Sequence, residues 1–267
     1  MPYHGRVPVP EPMPVIVRLA AEWDCPAARA FCAAIERTAM NAPAEAVIHR
    51  GRNLIFRSCV EHNDVVVKRF PVTGARRAIY RLRTSKAVRA FDNAVRLRAL
   101  AVGTPSPLAA IELRRGATPL ASFYCCAFLP RFREARELKR GDAGDRARLL
   151  EALGRHIGEL HERGVVHRDL TSGNVLIVSH PGGEGGAEFQ LVDINRMRFG
   201  RIGVLRGLAN LAQLRLHDGG ELLAGYCRAR DLDPARVASR YRLLLALRSA
   251  RQAVKERTRP LRRRLGF

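Results

Sequence analysis

The sequence predicts an α+β protein of two lobes, a small antiparallel β lobe followed by a helical one, on three observations. Short β-rich runs separated by turn residues crowd the first half. An amphipathic run of helical period opens the second half at Asp142. From about Val204 onward the pattern is helical. Strands gathered in one part of a chain and helices in the other mark the α+β class.

Residues 1–24 are rich in proline and read as irregular, and 27–40 reads as a short helix. The division expected is an N-terminal extension over 1–40, a β lobe with one helix over 41–130, and a helical lobe over 131–267. Runs 46–49 and 54–60 flank a turn at Gly51-Arg52-Asn53, and 64–70 follows the turn Glu61-His62-Asn63, an antiparallel meander. Residues 78–102 have helical spacing, with Val88, Phe91, Val95, Ala99 and Val102 in register, and stop at Gly103 with Pro105 beyond. Strands at 109–113 and 121–128 complete the lobe. In the second lobe, 142–163 sets Leu149, Leu150, Leu153, Ile157 and Leu160 on one helical face. Strands at 175–179 and 189–194 flank the glycine-rich stretch 181–186, which reads as a hairpin loop; no helix follows it to bind phosphate.

With 47% hydrophobic residues, 267 positions suffice for a buried core. Lys and Arg number 47 against 25 Asp and Glu, a net charge of +22. Such a field attracts nucleic acid, an anionic membrane surface or an acidic substrate, and alone does not choose among them. Nucleic acid is disfavoured by the lack of a recognition module and by 6% aromatic content, too little for base stacking. The six cysteines form no Cys-x-x-Cys and no zinc spacing, so reduced, cytoplasmic thiols are expected. The start of the chain lacks the apolar segment of a signal peptide, and no apolar run of about 18 residues exists, so a soluble or peripheral protein is expected.

The chemistry concentrates at His167-Arg168-Asp169-Leu170-Thr171-Ser172-Gly173-Asn174. This meets the signature His-Arg-Asp-Leu-x-x-x-Asn in full, in a loop after a long helix and before a short strand, and points to phosphoryl transfer from ATP. Asp169 would orient or accept the proton of the attacking hydroxyl, Asn174 would reach a magnesium ion, and His167 would anchor the loop. Asp193, the next acid at a strand end, would hold magnesium bridging the ATP phosphates. Lys68 closes the run Val65-Val66-Val67-Lys68, where the third strand supplies a lysine for the α- and β-phosphates. Its acidic partner would come from the next helix. Asp92 is the only carboxylate between Pro71 and Ile111, and is equally an i,i+4 partner for Arg96. A glycine-rich phosphate loop is absent, leaving Gly51-Arg52-Asn53 in its place; the adenine is expected near 124–128.

These residues together resemble the lipopolysaccharide kinase family of bacterial sugar kinases, the Kdo and heptose kinases, which have a protein-kinase-like fold. The features that match are Val66-Val67-Lys68, Ser85-Lys86-Ala87, Gly103-Thr104-Pro105 before Pro107, the loop at 167–174, and Asp193 with Arg196 three residues on. That arginine separates the pattern from typical protein kinases. The resemblance runs over about 47–216. It implies ATP and Mg2+ as cofactors and a sugar hydroxyl of a lipid A-linked inner core as acceptor. Asp169, Lys68 and Arg196 would form the catalytic set, Arg196 lying near the acceptor or stabilising the loop. Lys68, Asp92, Asn174 and Asp193 would hold the nucleotide, and Asn174 and Asp193 the metal.

The partners so implied are an anionic glycolipid and the anionic inner-membrane surface, met from the cytoplasmic face. Arg76, Arg77, Arg81, Arg83 and the C-terminal Arg257, Arg259, Arg262, Arg263 and Arg264 are candidate contacts, the last group being equally a tail without a role. The chain departs from protein kinases in having no Ala-Pro-Glu after Asp193. A small-molecule or protein kinase, or a non-catalytic kinase-like protein docked on membranes, are the alternatives; retention of Lys68, Asp169, Asn174 and Asp193 argues for chemistry.

Overall fold

The computed structural model of the chain describes residues 11–74, 76–140, 143–178, 187–216 and 220–264. It divides into two compact units, Met1–Ala99 with Pro105–Leu129, and Leu100–Thr104 with Pro130–Phe267.

The first unit comprises β1 (Met13–Leu19), α1 (Pro26–Ala33), α2 (Ile35–Met40), β2 (Val47–Arg50), β3 (Leu54–Val60), β4 (Asn63–Pro71), α3 (Arg76–Leu82), α4 (Lys86–Ala99), β5 (Pro107–Arg115) and β6 (Thr118–Ala127). The strands form one antiparallel sheet of six, in the order β1-β5-β6-β4-β3-β2. The irregular reading of 1–24 gives way here: β1 runs along β5 from Met13 opposite Arg114 to Leu19 opposite Ala109. Pro14, with the prolines just before the strand, hid it. Proline within a sheet is confined largely to edge strands, and β1 is one. The single helix expected over 78–102 is two, α3 and α4. The side chain of Ser85 accepts a hydrogen bond from the Val88 N–H at 3.3 Å and starts a fresh helix, as an N-cap serine does.

One face of this sheet buries Phe56, Val65, Val67, Ile111, Phe123 and Cys125 against Ala28, Cys32, Ile35 and Ala39 of α1 and α2. Since side chains alternate along a strand, Lys68 points to the opposite face, which it shares with Phe70. Lys68 Nζ lies 5.3 Å from the Phe70 ring centroid, and Lys86 Nζ of α4 lies 5.6 Å from it. Strand β4 thus delivers its lysine to the α4 side of the sheet.

The second unit comprises β7 (Phe132–Glu134), α5 (Ala143–Glu162), β8 (Val165–His167), β9 (Val175–Val178), β10 (Glu188–Leu191), β11 (Met197–Phe199), α6 (Val204–Leu211), α7 (Glu221–Ala229) and α8 (Pro234–Arg264). Its small sheets are β10-β9-β7 and β11-β8. Leu149, Leu150, Leu153, Ile157 and Leu160 of α5 are buried, as their spacing requires. Helices α5 and α7 approach backbone to backbone through glycine. A Cβ on Gly154 would fall 2.0 Å from the Leu222 carbonyl oxygen, and one on Gly225 would fall 1.9 Å from that of Glu151. The expected start of α5 at Asp142 and the loop 181–186 lie outside the described residues.

Candidate active site

The loop 167–174 hangs between β8 and β9, and its shape follows from the hydrogen bonds that its own residues can make. His167 is fully buried. Its Nε2–H donates to the Val192 carbonyl at 2.9 Å, while its Nδ1 accepts the Asp169 N–H at 3.2 Å. One imidazole therefore joins the loop to the strand exit that carries Asp193. Burial, working against the Val192 bond, pushes its pKa below the usual histidine value, so it holds the loop as a neutral ring.

Asn174 closes the loop on itself. Its Nδ2 donates to the Asp169 carbonyl at 2.8 Å, and its backbone N–H donates to Thr171 at 2.9 Å. With the amide nitrogen engaged, Oδ1 is the atom of Asn174 suited to a cation. The Asn174 carbonyl in turn accepts the Val192 N–H at 3.0 Å, which places the segment bearing Asp193 beside it. Asp169 and Asp193 are both half-buried.

Asp193 departs from expectation in its setting. The strand closes at Leu191, and the acid sits two residues beyond in the left-handed region, at φ 56° and ψ 40°. Asp tolerates that conformation better than most side chains because its short polar group bonds locally. Here Oδ1 accepts from Asn195 Nδ2 at 2.8 Å. An amide oxygen and a carboxylate on adjoining segments fit magnesium, which takes oxygen donors and needs few from the protein when phosphates complete the set.

Arg196 ends the one-turn helix after Asp193, and its side chain is exposed. Its carbonyl accepts the Arg168 N–H at 3.0 Å, so the residue supports the loop through its backbone. Asp169, Asn174, Asp193 and Arg196 are thus gathered on hydrogen-bonded segments of the second unit. Lys68 and Asp92 belong to the first. Asp92 is exposed and pairs with Arg18 of β1 at 3.0 Å, a partner that neither sequence reading named. Among the arginines proposed for substrate, Arg77 donates to the Val72 carbonyl and Arg81 to Thr118, while Arg83 is exposed. The side chains of Arg76 and of Arg257, Arg259, Arg262, Arg263 and Arg264 lie outside those described.

Sequence reasoning missed two residues that hold the loop and gave no role to a third, Thr104, which holds the strand before Asp193. Asn210 donates to the His167 carbonyl at 2.9 Å, Gln213 accepts the Leu170 N–H at 3.2 Å, and Thr104 donates from Oγ1 to the Leu191 carbonyl at 2.8 Å. A signal existed for Asn210: it is the polar residue on the buried face that Leu208 and Leu211 define on α6. Thr104 explains part of the run Gly103-Thr104-Pro105. With the Gly103 carbonyl accepting the Leu191 N–H at 2.9 Å, it fastens that segment to the strand leading to Asp193.

Comparison with known proteins places this geometry. A model of the lipopolysaccharide kinase (Kdo/WaaP) family matches residues 75–217, beginning later than the resemblance read from the sequence and after Lys68. A solved structure described as WaaP in complex with acyl carrier protein superposes with a TM-score of 0.52 at 19% identity, covering 79% of this chain and 90% of that one. That likeness shows a shared protein-kinase-like fold. No curated protein matches the sequence. The matched region takes in more than half of the 267 residues, including the whole loop and the Asp193 turn, and the chain therefore belongs to the lipopolysaccharide kinase (Kdo/WaaP) family.

Proposed function

We propose that the chain is an ATP-dependent kinase that phosphorylates a sugar hydroxyl of the lipopolysaccharide inner core. The observation that carries this is the hydrogen-bonded loop that presents Asp169 between His167 and Asn174, with Asp193 on the adjoining segment. In the reaction the acceptor oxygen forms a new P–O bond to the γ-phosphorus as the bond to the departing ADP oxygen breaks. The hydroxyl proton goes to the Asp169 carboxylate, which also orients the oxygen for in-line attack. Lys68 neutralises the α- and β-phosphates. Asn174 and Asp193 would hold Mg2+, which would supply positive charge against the phosphates. Arg196, exposed beside the loop, is the proposed contact for the acceptor's own negative charge.

The test is lipopolysaccharide from a deletion strain complemented with wild type or with Asp169→Asn. Mass spectrometry should show one core phosphate lost on deletion, restored by wild type and not by the variant, whose turnover in vitro should fall on the order of 10³-fold. A core unaltered by deletion sinks the glycolipid reading, and unchanged turnover removes Asp169 from the chemistry.

The glycolipid acceptor calls for attachment to an anionic leaflet. No described helix is long and apolar enough to cross a membrane. Helix α8 offers a surface instead. It buries Val237 and Tyr241 on one side and exposes Leu243, Leu247 and Val254 on the other. These recur at i, i+4 and i+11, a single stripe, with Arg240 and Arg251 on its flank; across α8 eleven Lys or Arg face one acid, Glu256. An apolar stripe edged by cations suits the plane of an anionic lipid surface. Leu243→Glu with Leu247→Glu should abolish sedimentation with vesicles containing anionic lipid. Undiminished binding would reject this face as the attachment site.

A further inference from the structure

Beneath the catalytic loop lies a buried path of polar groups that the chemistry above does not use. Arg230, just past α7, donates from a guanidinium nitrogen to the Tyr226 oxygen at 2.9 Å. The Tyr226 oxygen lies 2.9 Å from His161 Nδ1 on α5. His161 Nε2 lies 3.0 Å from Asn210 Oδ1 on α6, and Asn210 Nδ2 donates to the His167 carbonyl at 2.9 Å. His161, Asn210, Tyr226 and His167 are all buried.

The direction of every bond follows from the ends of the path. A guanidinium only donates, and a carbonyl only accepts. Asn210 must turn its amide nitrogen to the carbonyl, which leaves Oδ1 to accept from His161 Nε2–H. His161 Nδ1 then carries no proton and accepts the Tyr226 O–H, whose oxygen accepts from Arg230. Each donor meets an acceptor, and the chain of dipoles runs one way from Arg230 to the loop. Burial pushes the His161 pKa down to about 4, which keeps the ring in the neutral form that the path requires. Arg230 is held at its own end by Glu162 at 2.6 Å and by the Ile202 carbonyl at 2.8 Å. Helix α6 makes room for the junction at Gly207, where an added Cβ would fall 2.0 Å from the Tyr226 oxygen and 3.2 Å from His161 Nδ1.

An interface among α5, α6 and α7 that needed only stability would be served by apolar side chains, since burying polar groups gives little net gain even when all are satisfied. This path instead ends on the carbonyl two residues before Asp169. We infer that Asn210, His161 and Tyr226 are positioning residues, a relay of neutral hydrogen bonds that fixes the backbone of the catalytic loop from three helices. Its catalytic half rests on the kinase reading; its structural half does not.

The test compares Tyr226→Phe, Asn210→Ala and the double variant, reading kcat, KM for ATP and amide exchange at residues 168–171. Tyr226→Phe keeps the buried ring and removes the link. It should lower kcat about fivefold with KM for ATP unchanged and speed exchange of the loop amides. Asn210→Ala should lower kcat on the order of thirtyfold, and the double variant should lose no more than Asn210→Ala alone, because one break already uncouples the path. A kcat for Tyr226→Phe within about twofold of wild type, with unaltered loop exchange, overturns the relay, as does a double variant whose losses multiply. If Asn210→Ala fails to fold, Tyr226→Phe alone still decides. A wild-type protein with no turnover would refute the proposed function, while loop exchange would still report on the relay.

Discussion

In the first unit the ion pairs Arg18–Asp92, Arg29–Asp24 and Arg57–Asp64 lie open to solvent, with side chains between 43% and 58% exposed. In the second, His167 and Asn210, which shape the loop at 167–174, are buried, and burial pushes down the pKa values of His156, His161 and His167. Exposed pairs contribute about 0.2–1 kcal/mol each and can be rearranged at little cost. A buried donor or acceptor that loses its partner costs about 1–3 kcal/mol and has no water to turn to. The sheet unit therefore carries these three pairs as a tolerant outer layer, with Arg69–Glu36 and Arg114–Glu112 set deeper. The helical unit builds polarity into its interior, where each group constrains the next.

Lowering pH should separate the two units most. His156 and His161 have pKa values pushed down to about 4 from 6.5, desolvation being the main cause in each. Between those values the unfolded chain takes up a proton and the native imidazole does not, so stability falls as pH drops from 6.5 to about 4 and levels off below. Each contributes about 3 kcal/mol to the loss. His49 and His62 of the first unit are exposed. Amide exchange at pH 7 and pH 4.5 should show protection lost in α5 and α7 and largely kept in β3 and β4; equal loss in both units would break the comparison.

A smaller effect is expected at the glycine contact. Gly225→Ala drives a methyl group into the Glu151 carbonyl and should cost about 3 kcal/mol, read as a lower denaturant midpoint. A variant as stable as wild type would mean that α5 and α7 separate without penalty. Smallest is Asp92→Ala, which removes the Arg18 pair and should change stability by under about 1 kcal/mol. A larger loss, or a loss of turnover, would return Asp92 to the nucleotide-binding role considered from sequence.

What could be read from the sequence was what short range determines. The strand Leu54–Val60 and the buried face of α5 follow from local alternation and helical spacing. The loop at 167–174 carries its identity within eight residues, and Asn174 reaches Asp169 across only five. The partners that hold the loop from outside could not be assigned for the opposite reason, even where a residue such as Asn210 stood out on its own helix. Asn210 lies 43 residues from His167, and Tyr226 lies 65 from His161. The partner of Asp92 is 74 residues away, on a strand disguised by Pro14 and the prolines before it. The break between α3 and α4 was within reach, since Ser85 is an ordinary N-cap residue that apolar periodicity outweighed.

The left-handed turn at Asp193 bears on how this position can evolve. Two demands converge there. The proposed metal site asks for a carboxylate, which Asp and Glu supply. The backbone asks for a residue at ease with positive φ, and Gly, Asn and Asp head that set. Only Asp belongs to both. Asn would keep the turn and forfeit the charge, and Glu would keep the charge and strain the turn. No single substitution is nearly neutral, so the position can drift only if a change elsewhere first relaxes one of the two demands.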